Sequence, residues 1–141
     1  MKKFHPAPYA SMIAGLILVF LWFFLGGVAH FLFTDKFASV VPPFIPYPRE
    51  AVLFTGGCEI AGALALFSKR LRPWSGLALM AFTVCVTPVH IEMLVHAERY
   101  QMIGAPFLWA RLLFQPVLIW IIWMVTKPQK RRYASNWSGK R

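Results

Sequence analysis

The sequence has little charge for its length, and acidic residues are especially few. Only 14% of its 141 residues are charged and five are Asp or Glu, whereas soluble domains carry about 25% charged residues. Hydrophobic residues make up 58% of the chain. A soluble domain needs more polar surface than this, and a membrane β-barrel needs a period-two alternation that the chain lacks. The composition therefore indicates an all-α integral membrane protein.

Cysteine and cofactor motifs are also scarce. The two cysteines, Cys58 and Cys85, form no C-x-x-C motif, which argues against a thioredoxin-like dithiol. Both fall within apolar stretches and are expected to be small buried side chains, although a contact between them stays open. No haem-ligand pair, iron–sulfur spacing or nucleotide motif appears. Glu92 and His96 have zinc-motif spacing, but two ligands are too few, and no metal site is predicted.

What the chain does contain is four long apolar runs. A helix that crosses the bilayer needs roughly 17–25 apolar residues. The runs predict a single domain over residues 1–141, an integral membrane four-helix bundle with helices at about 12–33, 51–67, 73–95 and 105–126. A proline-rich outer loop, 35–50, and a basic tail, 127–141, complete the arrangement.

The distribution of the net charge of +10 predicts the topology. With the N-terminus inside, eleven lysines and arginines fall in inner segments, and only Lys36, Arg49 and Arg99 fall in outer loops. This positive-inside bias places both termini in the cytoplasm, and we expect a multi-pass protein of the bacterial cytoplasmic (inner) membrane. The basic tail is a topology signal, and it is also expected to contact membrane lipid through anionic headgroups. Nucleic-acid binding is not expected, because the sequence contains no folded basic module.

Five polar side chains interrupt the apolar runs at a common depth. At 1.5 Å per residue, His30, Glu59, His90, Arg111 and Gln115 lie about 6 to 16 Å below the outer surface. A lone charge at the bilayer centre costs about 2.5–3.5 kcal/mol, so Glu59 must be paired, protonated or hydrated, and Arg111 is its expected ion-pair partner. The five residues are candidates for ligand binding or proton relay in an outward-facing pocket. The alternative is a polar network that only fixes helix register.

Small and polar residues continue the same helix faces. The candidates for pocket lining or helix packing are Gly27, Thr55, Gly56, Gly62, Thr83, Thr87 and Pro88. Faces of small residues allow membrane helices to approach closely. The loop sequence "VVPPFIPYP" is too proline-rich for a regular helix. We expect this loop to cover the pocket mouth as a partial lid, or to rest on lipid as a connector.

These motifs resemble the DoxX-like family of small four-helix membrane proteins. The resemblance runs from "GVAHFLFTDKFASVVPPFIPYP" through "TGGCEIAGALALF" and "TPVHIEML" to "LWARLLFQPVLIW", most of residues 25–123. The residues that the family pattern highlights are Gly27, His30, Pro43, Pro46, Gly56, Glu59, Gly62 and Pro88. Many members of the similar branch have Asn where this chain has His90. The family includes a membrane subunit linked to a thiosulfate:quinone oxidoreductase, components of redox complexes, and membrane-protein assembly chaperones.

The resemblance and the polar layer lead to one expected function and two alternatives. We expect a redox-linked membrane subunit that binds a quinone or similar lipid-soluble molecule, with histidine and glutamate contacting its oxygens. The first alternative is a non-catalytic assembly factor or partner subunit, with a protein partner or homo-oligomer. The second alternative is a small transporter. The lack of an inverted internal repeat in the sequence argues against it.

Overall fold

The structure is a computed structural model that describes residues 9–100 and 104–127. All regular secondary structure in these two ranges is helical. The helices are α1 (Tyr9–Leu32), α2 (Thr34–Ala38), α3 (Pro48–Ala65), α4 (Arg72–Val95) and α5 (Ala105–Thr126), with a 3-10 turn at Ala97–Arg99 between α4 and α5.

Three of these helices are long and apolar enough to cross a membrane, namely α1 from Ser11, α4 and α5. The sequence predicts a fourth crossing at 51–67. The helix at that position, α3, has 18 residues and carries Arg49, Glu50 and Glu59. It is therefore shorter and more polar than the other three.

The predicted helix ends differ from the observed ones by a few residues. The α5 boundaries are as predicted, and α4 begins one residue earlier. The largest differences, of three residues each, are at the start of α1, which begins at Tyr9 rather than Met12, and at the start of α3. The short α2 occupies the start of the segment predicted to be irregular, and α3 begins at Pro48 rather than Ala51. Proline at the first helical position costs no hydrogen bond, because the amide there has no intrahelical partner.

Consecutive long helices run in opposite directions. We call the end that holds α2 and the 39–47 loop the loop end, and the end that holds the 66–71 turn the turn end. At the turn end, Ser75 Oγ on α4 donates to the carbonyl of Gly62 on α3 at 2.6 Å. The start of α1 there meets the end of α5, where Gly15 lies against Val125. Asp35 of α2 and Arg49 of α3 form an ion pair at the loop end.

Glycine allows α1 and α3 to cross closely. A Cβ atom added to Gly27 would lie 2.7 Å from the Gly56 carbonyl oxygen, and one added to Gly56 would lie 2.7 Å from His30 Cβ. Both distances are too short for a carbon atom, so this crossing requires glycine on each helix. The crossing fixes His30 against the first half of α3.

Packing is uneven along the helix axes. The main hydrophobic cluster lies toward the turn end and includes Val19, Leu66, Leu79, Leu118 and Ile122, each at most 3% exposed. Outward-facing side chains are apolar as well, and Phe54 and Trp74 are more than 70% exposed. An apolar exterior is what lipid contact requires. Toward the loop end the helices separate around a cavity.

Candidate functional site

The cavity has a volume of about 630 Å³ and is lined by residues of α1 to α5 and of the 39–47 loop. Sites for small organic ligands have volumes of about 300–1,000 Å³. Its walls are mostly apolar, and aromatic side chains form much of them: Trp22, Phe23, Phe37, Phe82, Phe107 and Phe114. Loop residues Val40, Val41 and Ile45 complete the wall, so the loop lies against the cavity.

The polar side chains predicted from sequence meet in the wall of this cavity. His30, Glu59, His90, Arg111 and Gln115 all line it. They arrive from four different helices, and helix periodicity brings each one to the inward face. The arrangement is an apolar chamber with a small group of hydrogen-bonding atoms, which suits an amphipathic ligand.

His30 is anchored to α3 through one ring nitrogen. Nδ1 lies 3.2 Å from the Val52 carbonyl oxygen and 3.1 Å from Thr55 Oγ1. Thr55 donates its own hydrogen to the Val52 carbonyl at 3.0 Å, so both neighbours of Nδ1 are acceptors. Nδ1 therefore carries the ring hydrogen, and Nε2 of the neutral ring keeps a lone pair. No described side chain hydrogen-bonds to that Nε2.

His90 is held between two residues of α5. Arg111 Nη2 donates to His90 Nε2 at 2.7 Å, because a guanidinium group can only donate. Nε2 is thus the acceptor, and Nδ1 of the neutral ring is the donor. The Gln115 amide lies 2.7 Å from Nδ1. The amide atom that faces Nδ1 must be the oxygen, since an NH₂ group there would meet a second donor.

With that amide orientation, a single chain of hydrogen bonds joins α5 to α4. The NH₂ group of Gln115 then faces Thr87 Oγ1 and donates a hydrogen bond to it, with 3.1 Å between the amide atom and Oγ1. Thr87 donates in turn to the Thr83 carbonyl oxygen at 3.0 Å. Every polar atom of His90 and of the Gln115 amide has a partner in this chain. His90 therefore positions Arg111 and leaves no ring nitrogen free to relay a proton.

The expected ion pair between Glu59 and Arg111 is wrong. Among the described residues, salt bridges join only Arg49 to Asp35 and His96 to Glu92. Arg111 extends toward His90 on α4, whereas Glu59 Oε2 faces α1, 3.0 Å from the position of a Cβ on Gly26. The two charges still interact electrostatically. Glu59 Oε2 is buried and has no hydrogen-bond partner among the described residues.

The other predicted residues divide between the cavity and the helix contacts. Thr55 and Thr83 line the cavity. Gly27 and Gly56 form the α1–α3 crossing, and Gly62 packs against Leu79.

Two expectations for side-chain placement are wrong. Pro88 is exposed on the outer face of α4, because the helix continues through it and turns the ring away from the cavity. Cys58 and Cys85 are free and exposed rather than buried, since the inward faces of α3 and α4 are occupied by other residues.

The apolar wall of the cavity could not be identified from the sequence. Phe82, Val86 and Phe114 have neighbours of the same character on the lipid-facing surfaces, so composition does not separate the two. Gly26 is the one sequence feature that could have helped to place the Glu59 side chain. Because glycine has no side chain, it leaves room beside α1 for the Glu59 carboxylate. Most of the basic tail lies outside the described residues, as do Lys2 and Lys3.

One family model matches the chain. It is described as Domain of unknown function (DUF8561) and covers residues 18–126, which include α2 to α5 and most of α1. The comparisons with curated proteins and with solved structures gave no match.

Proposed function

Because the chain belongs to the DUF8561 family, whose description names no activity, we propose its function from the cavity: it binds a quinone or a similar lipid-soluble molecule. The observation that carries this proposal is a cavity with aromatic walls that is also lined by Glu59, a side chain whose buried Oε2 atom has no hydrogen-bond partner among the described residues. An unpaired buried polar atom costs about 1–3 kcal/mol, so the site favours a ligand that supplies the missing partner. Flat aromatic walls suit a planar ring.

The proposed role is that of a membrane subunit in a redox system, in keeping with the resemblance to the DoxX-like family. His30 and Glu59 would contact the ring oxygens and exchange protons with them. Arg111 would stabilise negative charge on an oxygen, because its guanidinium group lines the same cavity. Electrons would be exchanged with a partner protein or with a second redox molecule.

We also propose that α3 crosses the membrane with α1, α4 and α5, which makes a four-helix bundle. At 1.5 Å per residue α3 is about 27 Å long. Two of its three charged residues, Arg49 and Glu50, lie in its first turn, where lipid headgroups would solvate them. Only Glu59 would then lie within the hydrocarbon layer, facing the cavity.

Charge at the two ends supports a cytoplasmic turn end in a bacterial inner membrane. Described basic residues at the turn end are Lys69, Arg70, Arg72 and Lys127, and those at the loop end are Lys36, Arg49 and Arg99. In a cysteine-free background, a membrane-impermeant maleimide should label Ser39→Cys in intact cells, and Ser68→Cys only after permeabilisation. The reverse pattern would contradict the orientation.

Binding is tested by native mass spectrometry and lipid extraction of gently purified protein. Val86 on α4 lines the cavity, whereas Val84 on the same helix is 58% exposed. Val86→Trp should fill the cavity and remove the bound quinone or quinol, and Val84→Trp should leave it in place. Wild-type protein that retains no such molecule and takes up none when it is supplied would refute the proposal.

A second candidate function is that of a partner subunit or assembly factor. It is favoured by an open apolar groove of about 600 Å³ on the outer face of α1, lined by residues that include Ile17, Leu21 and Leu25. A groove of this kind suits the side of another membrane helix. Under this alternative, Leu21→Trp would disturb a co-purifying protein, and Val86→Trp would not.

A further inference from the structure

We infer that the cavity prefers the reduced, hydroxyl-bearing form of its ligand, a quinol or related phenol, over the oxidised carbonyl form. The inference rests on the proposed function and specifies the ligand's chemistry. It follows from which cavity atoms are left without partners, and from whether each of them accepts or donates a hydrogen bond.

Two of the groups that line the cavity are acceptors without a partner there. The first is the carboxylate of Glu59, which lines the cavity and whose Oε2 atom has no hydrogen-bond partner among the described residues. The second is Nε2 of His30. Because the hydrogen of the neutral ring sits on Nδ1, between two oxygens at 3.1 and 3.2 Å, Nε2 keeps its lone pair. Both side chains line the cavity.

The positive charge of Arg111 favours the carboxylate form of Glu59. Arg111 lines the same space, and its only described hydrogen bond is to His90, which is neutral. An isolated buried cation is very unfavourable, so the cavity needs a negative charge near the guanidinium group. Glu59 is the acidic residue that lines the cavity, and it interacts electrostatically with Arg111. In the carboxylate form, the Glu59 side chain can only accept hydrogen bonds from a ligand in the cavity.

A hydroxyl group matches this set of atoms, and a carbonyl group does not. A hydroxyl donates one hydrogen bond and accepts two, so one phenolic group can donate to Glu59 or His30 and accept from Arg111. A quinone carbonyl can only accept, and it would leave both free acceptors unpaired. The cost of leaving one buried acceptor unpaired corresponds to about a tenfold or greater preference for the reduced form.

This preference has a redox consequence. A site that binds the two-electron-reduced form tenfold more tightly raises the reduction potential of the bound couple by about 30 mV. The bound quinol is then a weaker reductant than the same quinol in the lipid. The site would accordingly hold the reduced molecule rather than drive its oxidation.

The test compares four probes under anaerobic conditions with the full-length protein in nanodiscs. The probes are decylubiquinone, decylubiquinol, the dimethyl ether of that quinol, and 1-dodecanol as a simple lipid alcohol. We expect decylubiquinol to bind about tenfold or more tightly than decylubiquinone, and the dimethyl ether to bind no better than the quinone because it has lost both donors. Dodecanol that binds as tightly as the quinol would overturn the assignment to a quinol.

Glu59→Gln supplies the decisive variant. Its amide can turn an NH₂ donor toward the cavity, so the preference for quinol over quinone should shrink about tenfold or reverse. Glu50→Gln is the matched control, because Glu50 lies on the same helix but is exposed and outside the cavity. Glu59→Asp keeps the carboxylate and should retain a preference for quinol, and thermal unfolding of each variant shows whether it folds.

The outcomes separate this inference from the proposed function. Equal binding of quinol and quinone by wild-type protein, or an unchanged preference in folded Glu59→Gln, would overturn the inference and leave the function in place. Failure of wild-type protein to bind either ring compound would overturn both.

Discussion

Arg111 donates a hydrogen bond to His90 Nε2 at 2.7 Å rather than pairing with Glu59. The guanidinium group is thus held from α4 by a neutral acceptor, and its charge is not cancelled by direct contact. Glu59 stays separate on the α3 side of the cavity. A direct ion pair would close the polar end of the cavity, whereas this arrangement keeps it open for a ligand.

The hydrogen-bond chain predicts the tautomer of His90. ¹⁵N-histidine NMR of the protein in nanodiscs should show His90 as a neutral ring with hydrogen on Nδ1, because Arg111 occupies Nε2. The His90→Gln variant identifies its resonances by their loss. A protonated ring, or hydrogen on Nε2, would contradict the chain.

The close crossing of α1 and α3 predicts a sharp difference between neighbouring glycines. Gly56→Ala should destabilise the protein by about 1–3 kcal/mol, because the new Cβ would lie 2.7 Å from His30 Cβ. Gly57→Ala is the control, since no atom lies within 4 Å of its Cβ position. That variant should be neutral or stabilising, by up to about 1 kcal/mol. Unfolding in mixed detergent micelles measures both, and equal effects would refute the close crossing.

The charges of Glu59 and Arg111 should be energetically coupled although they form no salt bridge. Removal of either charge leaves the other buried and uncompensated, so Glu59→Gln and Arg111→Gln together should cost less than the sum of the two single changes. We expect a coupling of about 0.5–3 kcal/mol from a double-mutant cycle of unfolding free energies. A second cycle that pairs Arg111→Gln with Glu50→Gln should be additive, and coupling of similar size there would point to a non-specific charge effect.

The exposed cysteines predict a pattern of chemical labelling. Cys58 and Cys85 are free and exposed, and in the proposed four-helix bundle they would face lipid. Maleimides react with the thiolate form of cysteine, which water stabilises. Cysteines that face lipid should therefore react with neither a charged nor a lipid-soluble maleimide in native membranes, and should react once the protein is unfolded in SDS. In the variant lacking both cysteines, Ser39→Cys in the exposed loop should react with both reagents. Labelling of Cys58 by the charged reagent would show that α3 does not cross the membrane.

The sequence predicts the helices well because long apolar runs admit few other structures in lipid. It also indicates which polar residues share a depth, since helix rise is nearly constant. It does not predict that Arg111 selects His90 rather than Glu59, because depth alone leaves the rotation of each helix and the reach of each side chain undefined. The orientation of Pro88 and the cysteines is missed for the same reason. The aromatic wall is hidden because lipid-facing and cavity-facing side chains have the same composition.

The uneven packing along the helices has a consequence for the amount of protein in the cell. The turn end is held by a filled core, whereas the loop end surrounds about 630 Å³ of space. A molecule in that space contacts every helix and stabilises the folded state by about 2.7 kcal/mol at one hundred times its dissociation constant. Membrane proteases remove unfolded chains, so the steady-state level of this protein should follow the supply of the proposed ligand.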